Sequence, residues 1–443
     1  MKNEKKILII SSANPLVGPG YLATDLLNAF TMHGCETDVL TLKKIDNHPE
    51  YLYVQDHNTF SYKFKAKIKF YKERLGRVYY RIVQKKKYPF GDYHFFYKNE
   101  ENPPVPASEV LSKIKKQYDF VILLFWQGML SFDTVNLIYN KLEVPIYFYC
   151  VDYSPMSGGC HFTGDCEHYK TGCGCCPAFE SKDPNDFTHR NILYRKQFYK
   201  HVNPIVSGNS YMHRFFSESY LLRDTYNTYS FPIIDTEKFC PKEKSEAKKS
   251  FNVSFDRSFL ILFGSQNIHD ERKGIKYMVE ALNLFSKKLT EEERSKVLLV
   301  VIGRDFYKIK NLIDNRLSHL ELGFVTMDFL PNVYSMSDVF LCSSINDAGP
   351  MMVNQSLCCG TPVVGFEMGT CLDCVKDKGT GYCAKLRDSE DFANGIYSIF
   401  KLSDKEKKEM SNRCRVLAVE TYSYKVTVDR FLQQFAEYQN TNR

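Results

Sequence analysis

The stretch Ser343 to Val364, SSINDAGPMMVNQSLCCGTPVV, constrains the fold more than any other part of the chain. Val339–Cys342, just before it, is a short apolar run and reads as the end of a buried strand. Asp347-Ala-Gly is a turn, and Gly349 lets the backbone approach a ligand closely. Pro350 suits the first helical position, where no amide hydrogen is needed. A helix is expected over Met351–Cys359, closed by Gly360, with Thr361-Pro362 blocking its continuation. Val363–Phe366 is then the next strand. A helix start behind a glycine turn is a ready anion site. Asp347 stands in front of it and Gln355 about one and a half turns inside. A carboxylate and an amide so placed can hydrogen-bond sugar and ribose hydroxyls while free amides hold phosphate. The alternative is an ordinary strand–loop–helix with Asp347 as a cap.

Strand, loop and helix recur along the whole chain. Apolar runs at Ile7–Ser12, Thr37–Leu42, Phe120–Phe125, Ile146–Cys150, Ile205–Asn209, Phe259–Gly264, Leu298–Gly303 and Val325–Leu330 alternate with helical patterns. That alternation is the mark of parallel α/β sheets. At 443 residues and 44% hydrophobic content, two or three domains with real cores are expected. The apolar core of the N-terminal segment is only Ile7–Ile10, too short for a signal peptide, so a first buried strand is expected. No stretch reaches the roughly 18 apolar residues of a membrane span. With no secretory signal, fifteen cysteines point to a reducing cytosol.

The signature stretch resembles that of family 4 retaining glycosyltransferases, and the cysteine-rich segment Gly158–Pro177 resembles an insertion of their colanic-acid and capsular polysaccharide-assembly type. In that family a Glu, seven residues and a second Glu precede a C-G-T-P-V-V run. Cys359-Gly-Thr-Pro-Val-Val364 matches the run, while the acidic positions read Asp347 and Gln355. The first change keeps the charge; the second keeps a hydrogen-bond acceptor. The resemblance implies a GT-B fold, with two Rossmann-like doubly wound domains facing across a cleft that closes on the substrates. The expected divisions are an acceptor-side domain over 1–235, a nucleotide-sugar-binding domain over 236–420, and a C-terminal helix over 421–443 packing back on the first. Ser230 to Phe239 matches the inter-domain hinge.

The resemblance also implies site residues. In the family an Arg after a strand and a Lys in an R-K-G run neutralise the donor diphosphate. Lys273 matches the Lys; Ser265 stands where the Arg would be, so Arg272 is expected to substitute. Asp347 is implied at the donor-sugar hydroxyls and Gln355 at the ribose, with Gly349, Pro350 and Met351 at the diphosphate. Gly18-Pro19-Gly20, between the first strand and the helix Tyr21–His33, is implied at the acceptor and donor phosphates. It is not a G-x-G-x-x-G fingerprint, so no dinucleotide cofactor is indicated, and a plain tight turn is the alternative. Asp152 falls where relatives carry a His-Asp pair, with Val151 in place of the His. Catalysis needs no metal, and no D-x-D motif occurs.

Two segments depart from the α/β rhythm. Between Tyr51 and Lys98, twelve Lys and Arg oppose three acids, so the segment carries +9 in a chain of net +7. Tyr62 to Tyr71 alternates aromatic and basic residues, which suggests a strand, though a loose helical face is also compatible. Such interleaving suits an anionic membrane surface or a nucleic acid. A solvated insertion is the alternative.

The second segment, Gly158–Pro177, spaces Cys160, Cys166, Cys173 and Cys176 by five, six and two residues, with Cys175 extra and His161 and His168 between them. Four thiolates in a glycine-rich loop suit a structural zinc. Disulfides, an iron–sulfur cluster and a metal-free packed loop are the other readings. Cys371 and Cys374 form a C-x-x-C without partners and carry no assignment.

The expected activity is transfer of a sugar from a nucleotide-sugar to a saccharide, as in capsule or lipopolysaccharide assembly. The acceptor is expected to be lipid-linked, and the enzyme cytoplasmic and peripheral on the inner membrane face. A GT-B nucleotide-sugar epimerase and a non-enzymatic nucleic-acid-binding protein are the alternatives, with no nucleic acid expected on the main reading.

Overall fold

The computed structural model describes residues 5–82, 100, 104–230, 232–254, 258–265 and 270–441. They form two compact units. The first comprises residues up to Gly208, Met212–Ser230 and the tail from Val428; the second comprises Asn209–Tyr211 and Phe231–Thr427.

In the first unit the described strands are β1 (Lys6–Ser11), β2 (Glu36–Lys43), β3 (Tyr51–Gln55), β4 (Phe120–Leu124), β5 (Ile146–Tyr149), β6 (Ile205–Gly208) and β7 (Tyr226–Tyr229). They pair in parallel in the order β3-β2-β1-β4-β5-β6-β7. Ile7–Ile10 and Phe120–Leu124 are buried on both faces, as central parallel strands must be. Ser131 caps the helix Phe132–Leu142, its hydroxyl accepting from the Thr134 amide at 3.1 Å. The helix Tyr424–Thr441 returns to this unit. Phe431 meets Phe30 edge-on at 5.5 Å, Phe435 stacks on Phe120, and the Tyr147 hydroxyl donates to Gln434 at 2.9 Å.

In the second unit the described strands are β8 (Phe259–Ser265), β9 (Val297–Gly303), β10 (Ser318–Gly323), β11 (Val339–Cys342), β12 (Val363–Phe366) and β13 (Gly381–Ala384). They too are parallel, ordered β10-β9-β8-β11-β12-β13. Phe259, Ile261 and Phe263 of β8 enter one core, and Leu260 and Leu262 enter another on the opposite face. Alternation of side chains across a strand produces the two cores. In each sheet the strand order reverses once, between β1 and β4 and between β8 and β11. Ligands of open α/β sheets bind at such switch points, beyond the carboxyl ends of the strands.

Three expectations need correction. No strand forms over Val325–Leu330; the strand is Ser318–Gly323, and Leu330–Met336 is a helix. The basic segment starts inside the sheet, because Tyr51–Gln55 is edge strand β3. Its aromatic–basic alternation is not a strand but the helix Phe60–Ile82. Lys85, Lys86, Lys87 and Lys98 lie outside the described residues.

Candidate functional site

The switch point of the second sheet gathers most of the expected site. A short 3-10 turn, Glu271–Lys273, follows β8 and leads through Gly274 into the helix Ile275–Lys288. Gly274 has φ +61°, and a Cβ there would stand 2.0 Å from the Ser343 carbonyl oxygen. Only glycine lets the turn lie this close to the end of β11. Two backbone bonds and one side-chain bond fasten the loops together. The Ile345 amide donates to the Arg272 carbonyl at 2.7 Å, the Asn346 amide to the same carbonyl at 3.3 Å, and the Ser343 hydroxyl to the Lys273 carbonyl at 2.7 Å.

On this frame the Lys273 ammonium donates to Asp347 Oδ2 at 2.5 Å. The pair therefore joins the loop after β8 to the loop after β11, across the switch point. Asp347 is 8% exposed, whereas the Lys273 side chain keeps 34% of its surface. The other Asp347 oxygen, Oδ1, accepts from the Gly349 amide at 3.3 Å. Arg272 donates through Nη2 to Asp270 at 2.6 Å. Both cations of the expected pair are thus held by carboxylates of their own unit.

The helix after Asp347 runs Met351–Cys358. Pro350 has ψ 112° and lies just outside the helix rather than in its first turn. The Val353 amide bonds back to the Pro350 carbonyl at 3.0 Å, which leaves the Met351 and Met352 amides as the donors a helix start presents. Gln355 is buried, and its carbonyl oxygen accepts from the Tyr334 hydroxyl at 3.1 Å. Its amide NH2 is therefore the end available to a ligand.

The remaining expected residues belong to the first unit. Gly18–Gly20 is a 3-10 turn after β1, and a Cβ on Gly20 would meet the Asn14 carbonyl at 1.9 Å. Close packing within its own loop accounts for that glycine. Asp152 follows β5 and is buried. It accepts from the Ser154 amide at 2.8 Å and the Ser154 hydroxyl at 2.6 Å. Its other oxygen lies 2.5 Å from His161 Nδ1. Burial works to raise the Asp152 carboxyl, but the His161 ring and the Ser154 donors outweigh it and hold it below the usual carboxylate range. A His–Asp pair thus exists in space although position 151 is Val. Sequence reasoning noted His161 among the cysteines and missed its partner, because nine residues separate the two and no local pattern joins them.

Four cysteines of the 158–177 segment, Cys160, Cys166, Cys173 and Cys176, line one small cavity. Cys371 and Cys374, by contrast, are buried in a core of the second unit.

Residues 245–416 match the family described as glycosyl transferases group 1, so the second unit carries a domain of that group. The chain is 24% identical over 212 residues to an N-acetyl-alpha-D-glucosaminyl L-malate synthase of Bacillus anthracis, a match covering 47% of this chain and 52% of that protein. The chain spans about half the length of the curated relatives it matches. Among solved structures, a sucrose-phosphate synthase of Thermosynechococcus elongatus superposes with a TM-score of 0.63 at 13% identity, covering 99% of this chain and 100% of that one. The Anabaena protein HepE in complex with UDP-glucose superposes with a TM-score of 0.60 at 14% identity, covering 99% and 100%. At such identities the likeness establishes the fold, two Rossmann-like parallel-sheet units of the GT-B kind.

Proposed function

We propose that this chain, whose second unit carries a glycosyl transferases group 1 domain, moves a sugar from a nucleotide-sugar donor to a saccharide acceptor. The observation that carries the reading is the Lys273–Asp347 pair bridging the two loops at the switch point of that domain. Breaking the glycosidic bond of a nucleotide-sugar builds charge on the leaving diphosphate. Lys273 and Arg272 supply fixed positive charge to it, and the Met351 and Met352 amides supply hydrogen bonds. Preorganised charge of this kind acts on the transition state without reorganisation at the moment of reaction. Asp347 orients Lys273 and a donor-sugar hydroxyl. The Gln355 NH2 donates to a ribose hydroxyl while Tyr334 fixes its other end. In this reading no metal ion takes part in the transfer, and the anomeric configuration is retained.

The acceptor is a lipid-linked saccharide at an anionic membrane. The helix Phe60–Ile82 supports that part of the reading. Phe64, Ile68, Tyr71, Leu75 and Val78 are exposed at i, i+4, i+7, i+11 and i+14, a single helical face. Lys67 and Arg74 border it on one side and Lys72 on the other, where basic heads meet lipid phosphates as the stripe enters the interface. No helix among the described residues is long and apolar enough to cross a membrane.

The test is a thermal-shift screen against UDP, GDP, ADP and CMP, followed by radiolabelled transfer from the matching nucleotide-sugar. A ligand at 100 times its Kd stabilises by about 2.7 kcal/mol, a readable shift. Stabilisation by one nucleotide and label moved to a saccharide are expected. Conversion of the donor without any acceptor would instead indicate an epimerase. Stabilisation by none of the four would overturn the reading.

A further inference from the structure

We propose that Cys160, Cys166, Cys173 and Cys176 form a zinc site that organises the loop leading to Asp186. Three observations converge on it. First, all four cysteines line one cavity of about 30 Å3, and Cys175, the fifth cysteine of the segment, does not. That is room enough for a water-sized sphere or an ion. All four are free thiols.

Secondly, the backbone at the centre of the segment is strained. Gly172, Cys173, Gly174 and Cys175 have φ of +104°, +58°, +87° and +45°, four left-handed residues in succession. Two of them are not glycine. Such conformations persist where the surroundings over-determine them, and they cluster at ligand-holding turns. The loop's own bonds fix this turn and with it one wall of the cavity: the Cys173 amide donates to the His168 carbonyl at 2.7 Å, the Gly174 amide to the Thr188 hydroxyl at 3.1 Å and the Cys175 amide to the Asp183 carbonyl at 2.9 Å, and the Gly174 carbonyl lies 2.9 Å from His168 Nδ1.

Thirdly, between β5 and the helix Phe187–Val202 the chain contains only three 3-10 turns, Ser154–Met156, His168–Lys170 and Pro177–Phe179. Connections this long without regular structure are uncommon in a compact domain unless something ties them. The buried Arg195 ties the first end, donating to Glu100 at 2.8 Å and to the Ser154 carbonyl at 2.7 Å. The Cys176 amide ties the far end to Asp186 at 2.9 Å, and a tetrathiolate metal would add a tie between the two ends.

Zinc suits the donor set. Four thiolates at about 2.3 Å in a tetrahedron are its structural coordination. A thiol must lose its proton to ligate, so binding would release protons as the metal takes their place. Among the described residues no three His, Cys, Asp or Glu side chains already stand close enough together to grip an ion. Loading would have to draw the four thiols inward over the cavity. Cys160 immediately precedes His161, so the same metal would steady the His161–Asp152 pair.

The test uses the full chain purified under reducing conditions without added metal. Elemental analysis should find about one zinc per chain. Titration with a mercurial thiol reagent, followed with a chromophoric zinc indicator, should release it as about four thiols react. Exchange with Co2+ should produce the intense visible bands of a tetrahedral tetrathiolate. Cys173→Ser should lose the metal and Cys175→Ser should keep it. Should Cys173→Ser not fold, the wild-type titration and the Co2+ spectrum decide alone. Absence of zinc with all thiols reduced, four thiols lost to disulfides, iron in place of zinc, or equal zinc loss in Cys175→Ser would each overturn the proposal. None of these readouts depends on sugar transfer.

Discussion

Lys273 and Asp347 lie 74 residues apart in the chain and form an ion pair of 2.5 Å. They come from the loops after β8 and β11, the two strands that flank the switch point of the second sheet. The pair is half-open: the carboxylate is buried and the ammonium is not. An anion arriving at the switch point therefore meets a cation whose position is already fixed. Charge-assisted hydrogen bonds are short and directional enough to do this.

The pair separates binding from turnover. Asp347→Asn removes the charge that holds Lys273 but keeps the shape. Nucleotide affinity should hold or rise, because Lys273 is released to the diphosphate, while turnover falls about tenfold or more as the cation loses its fixed position. Calorimetric titration with the nucleotide and steady-state transfer are the two measurements. A large loss of affinity with unchanged turnover would reverse the assignment.

Gln355 bears on donor binding through its NH2 group. Gln355→Ala should weaken nucleotide binding, and it should also lower stability by about 1–3 kcal/mol, because the buried Tyr334 hydroxyl loses its acceptor. Gln355→Glu keeps an acceptor for Tyr334, and its second oxygen can accept from the ribose hydroxyl where the NH2 donated to it, so both the melt and the transfer rate should stay within a few-fold of wild type. Loss of transfer in the Glu variant, with folding intact, would show that the amide hydrogen itself is required.

Asp152 should make stability depend on pH. Its carboxyl titrates below the usual range when folded and near about 3.9 when unfolded. The stabilisation is present in full above that unfolded value and is lost as pH falls through the folded one. Asp152→Asn should therefore destabilise most at pH 7, with the difference from wild type shrinking below about pH 4. Urea unfolding at pH 7 and pH 3.5 reads this, and an equal difference at both would rule out an ionised Asp152.

The exposed stripe on the helix Phe60–Ile82 should bind lipid. Replacing Phe64 and Leu75 by Ser and Lys67 and Arg74 by Gln should reduce sedimentation with phosphatidylglycerol vesicles, by roughly 1 kcal/mol for each charge removed near the surface. Nucleotide binding should be unchanged. Undiminished vesicle binding, or stronger binding to RNA than to vesicles at equal salt, would remove the membrane role.

The central strands were legible because burial on both faces demands continuous apolar runs, as in Ile7–Ile10 and Phe259–Phe263. The edge strands were not. In β10 burial alternates, so His319 and Glu321 interrupt any apolar run, and the nearby Val325–Leu330 drew the assignment instead. The helix Phe60–Ile82 was obscured because its exposed face is apolar and its alternation mimics period two. At the site, Lys273, Asp347 and Gln355 were identifiable from their motif, yet the ion pair, the Tyr334 contact and the His161–Asp152 pair each join residues that only the folded chain brings together. The thiol cavity shows the intermediate case: spacing singled out four of the five cysteines, and the fold places those four around one cavity.

The central claim is that Lys273 stabilises the charge developing on a leaving diphosphate. The most direct measurement is the transfer rate of Lys273→Ala at saturating donor, with its thermal melt as a control on folding. The account predicts a fall in turnover on the order of a hundredfold or more in a protein that still melts cooperatively, with some loss of stability because the buried Asp347 loses its cation. Near-wild-type turnover by a folded Lys273→Ala protein would contradict it.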